Sequence, residues 1–326
     1  PEGIEGLLVG GIGISMERDA TAMVRMQYDV TNQGYALGLV AAAARGDLPL
    51  RDVDIRSVQQ ELVRIGNLPP EILDHDGPFP LPAAAVATAV DDLQAYGDPE
   101  ARPCTVRALA IVLRSPERSL PLLREAHNHT RDSQTRLALA RILGVRGEPS
   151  VGSELAEALA AAGDWDAKIL QGRMAEYAHL PTPIDALIVA LAGTGSEGAI
   201  GPILQRLESL DATVTLSHHR SVALALETLG RPPAAKPLAD LLAKPGMRGH
   251  VMRAIEARVD KPEAKRRREG SLREIVLARA LYRCGDWQGA GREILVEYTA
   301  DRRGLFARHA QWVLGENHEL DANCAT

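Results

Sequence analysis

The sequence predicts a mainly α-helical protein in which pairs of short helices stack on one another. Two observations indicate this fold class. Hydrophobic residues make up 45% of the 326 residues and only 3% are aromatic, a composition that with abundant alanine and leucine is typical of stacked helices. In addition, an apolar helix, a short turn and a second apolar helix recur along most of the chain. The length is enough for about two domains.

The first element is predicted to be a short strand over Leu7–Val9 that runs into Gly10 and Gly11. After a polar loop comes a long alanine-rich helix, interrupted by Gly34 and Gly38. These last two glycines are four residues apart, so they share one helical face and would let the helix pack closely on a sheet or a cofactor. Glycines between a strand and a helix start also let the backbone approach a ligand closely. The alternative, on spacing alone, is an ordinary amphipathic helix after a strand.

The next segment is a short link and a second helix around Val58–Leu62. Asp74–Pro82 is then rich in proline and aspartate, which is typical of a boundary between domains. We therefore predict two domains, residues 1–75 and residues 76–326.

Five copies of the helix–turn–helix pattern are predicted after this linker. They start at Val106, Leu137, Ala186, Val222 and Ile275, which are 31, 49, 36 and 53 residues apart, and a last partial copy begins at Phe306. Small residues inside the first helices, such as Ala138 and Ala223, would let neighbouring helices approach closely. The spacing scatters around the period of about 40 residues of HEAT-type hairpins, so this region resembles HEAT repeats and is expected to form an α-solenoid.

The N-terminal residues resemble the end of the nucleotide-binding domain in a family of FAD-dependent oxidoreductases. The matching residues are Gly6–Gly11, Ile14–Ser15, Ala20, Val24–Arg25 and Asn32–Gly38. The resemblance covers residues 1–75 and implies that FAD is the cofactor. It also implies a fold in which the C-terminal fragment of an α/β FAD-binding domain precedes the HEAT-like α-solenoid. The protein would then be the C-terminal portion of an FAD-dependent oxidoreductase, with its N-terminal part missing.

The resemblance also implies which residues contact the cofactor. They are Gly10, Gly11, Ser15, Arg25, Gln27 and Asn32. The glycines and Ser15 would allow close approach, Arg25 would lie near the helix start, and Gln27 and Asn32 would make polar contacts. The alternative for Arg25 is a structural ion pair. No residue is predicted to be catalytic.

Two departures from the family pattern weaken the expected binding. Gly11 stands where the family carries an arginine, which removes a charged contact. No G-x-G-x-x-G motif precedes the predicted strand, although that motif holds the pyrophosphate in such domains. We therefore expect this chain by itself to bind FAD weakly or not at all, and to be inactive alone.

A different segment, Gly193–Gly198, does match G-x-G-x-x-G. In the repeat alignment, however, the same position is occupied by Gly144–Gly147 in one copy and by Gly230–Pro233 in another. Turns between paired helices are expected at all three positions. We therefore predict a helical hairpin turn rather than a dinucleotide site at Gly193–Gly198.

The remaining candidates favour structural roles. His127–His129 and His218–His219 lack Cys, Asp or Glu companions at convincing spacing, so they are predicted to be loop histidines and no metal is expected. Cys284 and the other two cysteines, Cys104 and Cys324, are expected to be buried or idle thiols. Lys265–Arg268 is predicted to lie in an inserted, solvated loop, with contact to an acidic partner as the alternative.

Charge and hydropathy exclude two classes of partner. The net charge of −6 argues against a general nucleic-acid surface. No apolar run reaches the roughly 18 residues that a membrane span needs, so we expect a soluble protein without a membrane partner. Two functions follow as alternatives. One is the C-terminal portion of a flavoenzyme acting on an unidentified small molecule, and the other is a non-enzymatic HEAT-repeat scaffold that binds protein partners.

Overall fold

The computed structural model describes residues 6–14, 26–44, 48–74, 81–95, 102–165, 182–254 and 260–324. In these residues all regular secondary structure is helical, which confirms the prediction of a mainly α-helical chain. The chain divides into two compact units, Pro1–Pro82 and Ala83–Thr326.

The first unit contains helices α1 (Gln27–Ala43) and α2 (Ile55–Arg64). Both correspond to helices that the sequence predicts. Helix α2 begins where the Asp54 carboxylate accepts a hydrogen bond from the Arg56 N–H at 3.0 Å, an ordinary N-cap. Its buried residues are Val58 and Leu62.

The strand predicted over Leu7–Val9 does not form among the residues that the structure describes. These residues have no regular structure, and Gly11–Gly13 form a 3₁₀ turn. Leu7 and Val9 are 44% and 43% exposed. The physical reason is that a strand is completed by hydrogen bonds to a neighbouring strand, and none of the described segments provides one.

The second unit consists of helices joined by short turns. Its helices are α3 (Ala83–Asp92), α4 (Arg102–Arg114), α5 (Pro116–His129), α6 (Ser133–Val145), α7 (Gly152–Ala161), α8 (Pro183–Gly193), α9 (Ile200–Glu208), α10 (Leu216–Leu229), α11 (Ala235–Leu242), α12 (Lys261–Arg283), α13 (Ala290–Thr299) and α14 (Gly304–Cys324). Each of the five predicted repeat copies is a pair of these helices, from α4/α5 to α12/α13. The predicted partial copy corresponds to α14.

The last four hairpins share one turn geometry. After the first helix comes a glycine with positive φ, a conformation that side chains other than glycine rarely adopt. These glycines are Gly147, Gly195, Gly230 and Gly285. A 3₁₀ turn then leads into the second helix of each pair. These four hairpins therefore have the same turn structure although their spacing in the sequence is irregular.

The hairpins stack in two layers. The first helices α6, α8, α10 and α12 pack side by side, and the second helices α7, α9, α11 and α13 pack against them. Small residues make this stacking close. An ideal Cβ on Gly193 of α8 would lie only 2.5 Å from the Gly144 carbonyl oxygen of α6, so the two backbones touch. Ala138 and Ala223 are buried, as the sequence predicts.

Leucines and isoleucines fill the space between the layers. Fully buried examples are Leu139, Leu155, Ile188, Leu191, Ile203 and Leu226. Each such side chain contributes roughly 1.5–3 kcal/mol of burial energy. One continuous core therefore runs from α3 to α14. None of the helices in the described parts of the chain is both long enough and apolar enough to cross a membrane.

Candidate functional site

Gly10 and Gly11, two of the implied cofactor contacts, lie against helix α1. The Gly11 N–H donates a hydrogen bond to Gln33 Oε1 at 3.0 Å. An ideal Cβ on Gly10 would collide with Leu37 Cδ1, and one on Gly11 would lie 3.4 Å from Val30 Cγ1. Gly11 also has a φ of +67°. A turn that packs on α1 therefore explains both glycines.

The other implied contacts do not converge. Gln27 is the first residue of α1 and Asn32 lies in its second turn, and both are exposed. Five residues apart, they point about 140° away from each other around the helix, so one small group on the side of α1 cannot contact both. Ser15 and Arg25 lie outside the described residues.

Gly34 and Gly38 mark the uncovered side of α1. An ideal Cβ on either glycine meets no atom of the described residues within 4 Å. None of the residues of α1 is buried, and Tyr28 and Tyr35 are 86% and 46% exposed. This glycine side of α1, defined by Gly34 and Gly38, is the surface of the first unit that a further group could cover.

The arrangement permits a direct test of whether these residues fit FAD. A cradle for the cofactor would need free backbone N–H groups and empty space above Gly10 and Gly11. Instead Leu37 fills the space above Gly10, and Gln33 accepts the hydrogen bond of the Gly11 N–H. The glycine pair as arranged here does not fit as a cofactor cradle. The glycine side of α1 leaves room among the described residues.

Gly193–Gly198 lies between two helices, as the repeat alignment predicts. Helix α8 ends at Gly193, Gly195 has a φ of +65°, and a 3₁₀ turn over Glu197–Ala199 leads into α9. A dinucleotide site of the Rossmann type needs a strand before the glycines, and here a helix stands there.

The histidine pairs lie in helices rather than in loops, which corrects the prediction. His127 and His129 are in the last turn of α5, and His218 and His219 are in the first turn of α10. His127 Nε2 lies 2.9 Å from Glu154 Oε2, where it ties α5 to α7. The described residues contain no group of three or more His, Cys, Asp or Glu that could hold a metal ion.

A buried hydrogen bond between a histidine and a carboxylate links α8 to α10. His218 Nδ1 lies 2.7 Å from Asp185 Oδ1, and the side chains are 2% and 0% exposed. The Asp185 carboxylate also accepts the Thr182 N–H at 2.9 Å, which forms a capping box at the start of α8. Burial opposes ionisation of Asp185, but the hydrogen bonds from His218 and Thr182 outweigh it and lower the pKa of this carboxyl.

This pair resembles the base–orienter half of a hydrolytic triad, but its burial argues for a structural role. Trp165 stacks on the His218 ring with the centroids 4.4 Å apart, and its indole N–H donates to Ser209 Oγ at 2.9 Å. A substrate arriving from solvent has no exposed atom of either partner to react with. Asp185 is not among the residues that the sequence pattern predicts to be functional. The spacing of Thr182 and Asp185 before an apolar run is the signal that could have found it.

A cleft of about 540 Å³ lies beside this pair, between α7 and α9. Its cation is Arg206, which donates hydrogen bonds to Leu159 O at 2.8 Å, to Gly163 O at 2.7 Å and to Ala162 O. These are carbonyls at the C-terminal end of α7, where a cation is favourable. Arg206 is thus engaged in capping a helix.

His219 faces the next helix, α12. Its two ring nitrogens lie 3.1 Å from Thr215 O and 3.0 Å from Asp211 O. Burial and the nearby Arg273 cation lower the pKa of His219 to about 4, although the two carbonyls act in the opposite direction. Burial also lowers the pKa of Arg273, whose side chain is 7% exposed and whose Nε has no hydrogen-bond partner among the residues that the structure describes. The interface between α10 and α12 therefore contains a neutral histidine beside a cation.

Helices α10, α12 and α14 together form a surface cluster. Glu227 of α10 accepts hydrogen bonds from Arg279 Nε at 2.8 Å and from Arg283. Arg279 Nη1 lies 3.4 Å from His309 Nε2, and the Arg283 guanidinium lies 5.5 Å from the Trp312 ring centroid. We call this cluster, together with Leu224, the arginine–tryptophan patch. The sequence analysis did not identify it, because its members lie on three helices far apart in the sequence.

The basic run Lys265–Arg268 is helical, which corrects the prediction of an inserted loop. It belongs to the first turns of α12, a single helix of 23 residues. The helix begins at an Asp260 N-cap, which accepts the Glu263 N–H at 2.9 Å. Glu263 also forms ion pairs with Arg266 and Arg267. These i, i+3 and i, i+4 pairs offset the repulsion within the run, so the helix continues through it.

Cys284 is a buried thiol, as predicted. Its Sγ lies 3.3 Å from Leu226 O, and burial and the nearby Glu227 raise its pKa to about 11. A thiol in this environment is unreactive at neutral pH. Nothing is described of the side chains of Cys104 and Cys324.

The chain was compared with protein-family models, with curated proteins and with solved structures, and none of the three comparisons finds a match. The functional argument therefore depends on the residues themselves.

Proposed function

We propose that the chain is the C-terminal portion of an FAD-dependent oxidoreductase. Residues 1–75 contribute a wall of the flavin domain, and the HEAT-like repeats serve to dock a substrate or a protein partner. The flavin part depends on the family resemblance of Gly6–Gly38. The docking part is supported by the stacked hairpins, because solenoids present extended surfaces to partners.

One observation carries the flavin part, namely the uncovered glycine side of α1. Two glycines in one helix cost about 1 kcal/mol each relative to alanine. Because Gly34 and Gly38 meet nothing within 4 Å in the described residues, no described contact offsets this cost. A cofactor or a sheet packed on that side supplies the reason for both glycines. The dinucleotide motif would have to come from residues outside 1–326.

A second candidate is a non-enzymatic scaffold, in which the same repeats act and residues 1–75 bind no flavin. The contacts of Gly10 with Leu37 and of Gly11 with Gln33 favour it, since they explain the glycine pair without a cofactor. The two candidates differ only in what covers α1.

The deciding experiment is an absorbance spectrum of the product of the whole gene, with and without added FAD. We expect flavin bands from the natural protein and their loss from the double variant Gly34→Leu/Gly38→Leu. Ala43→Leu is the matched control, because Ala43 is exposed and lies about half a turn around α1 from Gly34. That control should keep the flavin.

The opposite results are equally informative. A colourless protein that does not take up FAD would leave only the scaffold. A double variant that keeps its flavin would show that the glycine side of α1 is not the covered surface. Leucine is a better helix former than glycine, so the double variant should keep α1 helical. Circular dichroism of each variant checks that its helix content is unchanged.

A further inference from the structure

The connection between the last two hairpins is long. It covers residues 243–260, 18 in all, between α11 and α12, whereas the connection from α9 to α10 covers residues 209–215, seven in all. Connections longer than about 12–15 residues are uncommon in compact domains and are often functional. Residues 249–253 of this connection form no regular secondary structure. We call these five residues the strap.

Two buried carboxylates accept hydrogen bonds from backbone N–H groups of the strap. Glu274 of α12 accepts the Gly249 N–H at 3.0 Å and the His250 N–H at 2.9 Å. Asp301, just before α14, accepts the Met252 N–H at 2.9 Å. Glu274 is 1% exposed and Asp301 is 5% exposed. These contacts use N–H groups that every residue except proline carries, so they recognise the chain rather than its side chains.

The carbonyls of the strap are held from the same two elements. His250 O accepts hydrogen bonds from a hydroxyl of α12 and from a guanidinium before α14, both at 2.9 Å. Met252 O accepts a backbone N–H at 2.8 Å. We call the residues that hold the strap the strap site. They are Ser271, Glu274, Asp301, Arg302 and Arg303.

Three features of the strap add selectivity. Gly249 has a φ of +92°, which favours glycine at the first position. The His250 ring lies against Gly270 of α12, where an ideal Cβ would be 2.7 Å from the ring. Arg253 forms an ion pair with Glu297 at 3.2 Å. Both Gly249 and Arg253 are exposed, so the strap lies at the surface and covers the buried strap site.

The strap site has internal partners that do not depend on the strap. Tyr298 donates its hydroxyl hydrogen to Glu274 Oε2 at 2.9 Å, and Arg303 forms an ion pair with Asp301 at 2.6 Å. If the strap leaves, each carboxylate is exposed to water and still has a partner. The strap can therefore leave without stranding an unpaired charge in the core, which is the costly case.

We propose that the strap is an internal ligand of the strap site, and that it is released to admit a non-helical segment of a partner protein. Backbone groups of that segment replace those of the strap. The segment has glycine first, a planar ring second to lie on Gly270, and a basic residue fifth to pair with Glu297. This inference rests on the docking part of the proposed function, and no residue of 1–75 contributes to it.

The first test is hydrogen exchange of the unmodified chain, resolved to single amides by mass spectrometry with fragmentation. The amides of Gly249, His250 and Met252 should exchange at least about tenfold faster than those of Leu277 and Ala278 in α12, because a segment that opens locally exchanges without unfolding of the helices. Strap amides that exchange at the rate of α12 would overturn the proposal, since the strap would then leave only when the repeats unfold.

The second test is the binding of a fluorescent peptide, MRGHVMRA, which has the sequence of residues 247–254. Met252→Pro weakens the strap, because proline lacks the N–H that Asp301 accepts, and leaves the strap site unchanged. The peptide should bind this variant at least about tenfold more tightly than the natural chain, in which the tethered strap competes at an effective concentration of about millimolar. Met252→Ala keeps the N–H and is the matched control, which should bind as the natural chain does.

Glu274→Gln, added to Met252→Pro, tests whether the peptide occupies the strap site. It replaces an acceptor oxygen by a donor group and should lower the affinity at least about fivefold. Thermal melts establish that the variants fold, and the exchange measurement decides the question without them. A folded Met252→Pro protein that does not bind the peptide would overturn the proposal, as would binding that Glu274→Gln leaves unchanged. Neither test bears on the flavin spectrum, so the two proposals fail separately.

Discussion

The repeat unit and the N-terminal unit differ in how much of their helices is buried. In the repeat unit every hairpin buries leucines and alanines against the next, and α6 and α8 touch backbone to backbone at Gly144 and Gly193. In the N-terminal unit, α1 has 17 residues and none of them is buried. Glycines have different surroundings in the two units. In the repeats, Gly144 and Gly193 allow two helix backbones to touch, whereas in α1 Gly34 and Gly38 meet no described atom within 4 Å.

The two units therefore differ in how much free energy of folding their helices gain from the described residues. A stacked repeat gains its free energy of folding from its neighbours in the same chain. Helix α1 has no buried residue, so it gains little free energy of folding from the described residues. Substitutions should therefore be costly in the repeat interfaces and nearly free on α1.

The largest effect is expected at the buried pair between α8 and α10. Asp185→Ala should lower the free energy of unfolding by about 2–6 kcal/mol, because it removes the buried acceptor of two hydrogen bonds, from His218 and from the Thr182 N–H, and each loss costs about 1–3 kcal/mol. Urea denaturation followed by circular dichroism measures this change. The control is Asp91→Ala, a substitution of an exposed carboxylate, which should stay within about 0.5 kcal/mol. A small loss at Asp185 would mean that this interface does not hold the stack together.

The next effect is a dependence on pH that His219 introduces. Its pKa is lowered to about 4 in the folded protein, so the unfolded chain binds this proton more readily. The stability it contributes is complete above about pH 6.5 and is lost as the pH falls towards 4, a change of about 3 kcal/mol. We expect His219→Gln to flatten the stability profile in this range, measured by urea denaturation at each pH. His129→Gln, at an exposed position, should leave the profile as it is.

A smaller effect is expected where α6 and α8 touch. Gly193→Ala should cost about 1–3 kcal/mol, because its Cβ would lie 2.5 Å from the Gly144 carbonyl oxygen and push the helices apart. Gly201→Ala in α9 is the matched control, since its Cβ meets no described atom within 4 Å. That control should stabilise the protein by up to about 1 kcal/mol. Equal effects of the two substitutions would contradict the close contact.

The smallest effect is expected in α1. Gly34→Ala should stabilise the helix by up to about 1 kcal/mol and slow the exchange of its amide hydrogens by up to about fivefold. Hydrogen-exchange mass spectrometry on the chain of residues 1–326 measures this directly. Faster exchange in the variant would show that some part of this chain already packs on the glycine side. The contrast between the two units would then disappear.

Local signals in the sequence account for much of the helical architecture. The hairpin turns could be predicted because glycine and proline punctuate apolar runs of helical periodicity, and the alignment of Gly193–Gly198 with other turns separated it from a dinucleotide motif. The basic run Lys265–Arg268 is predicted to lie in a loop, because a run of like charges is usually solvated. Its ion pairs with Glu263, three and four residues away, instead keep it helical.

The candidate sites were less accessible to sequence reasoning. The apolar run Leu7–Val9 before two glycines predicts a strand, but a strand needs a partner that the local sequence cannot supply. The pairing of His218 with Asp185 joins residues 33 positions apart, and that of Arg283 with Glu227 joins residues 56 apart. Sequence separation does not predict either pairing, because the contacts depend on the register in which neighbouring helices pack.

Three features could be predicted from the sequence: the helical fold class, the positions of the hairpin turns and the small residues between helices. They could be predicted because helix periodicity and turn chemistry act over a few residues. The tertiary structure alone decided which charges are buried together, that Gly10 and Gly11 pack on α1, and that three distant helices assemble the arginine–tryptophan patch. These features depend on contacts between segments far apart in the chain, whose geometry is set by packing rather than by local preference.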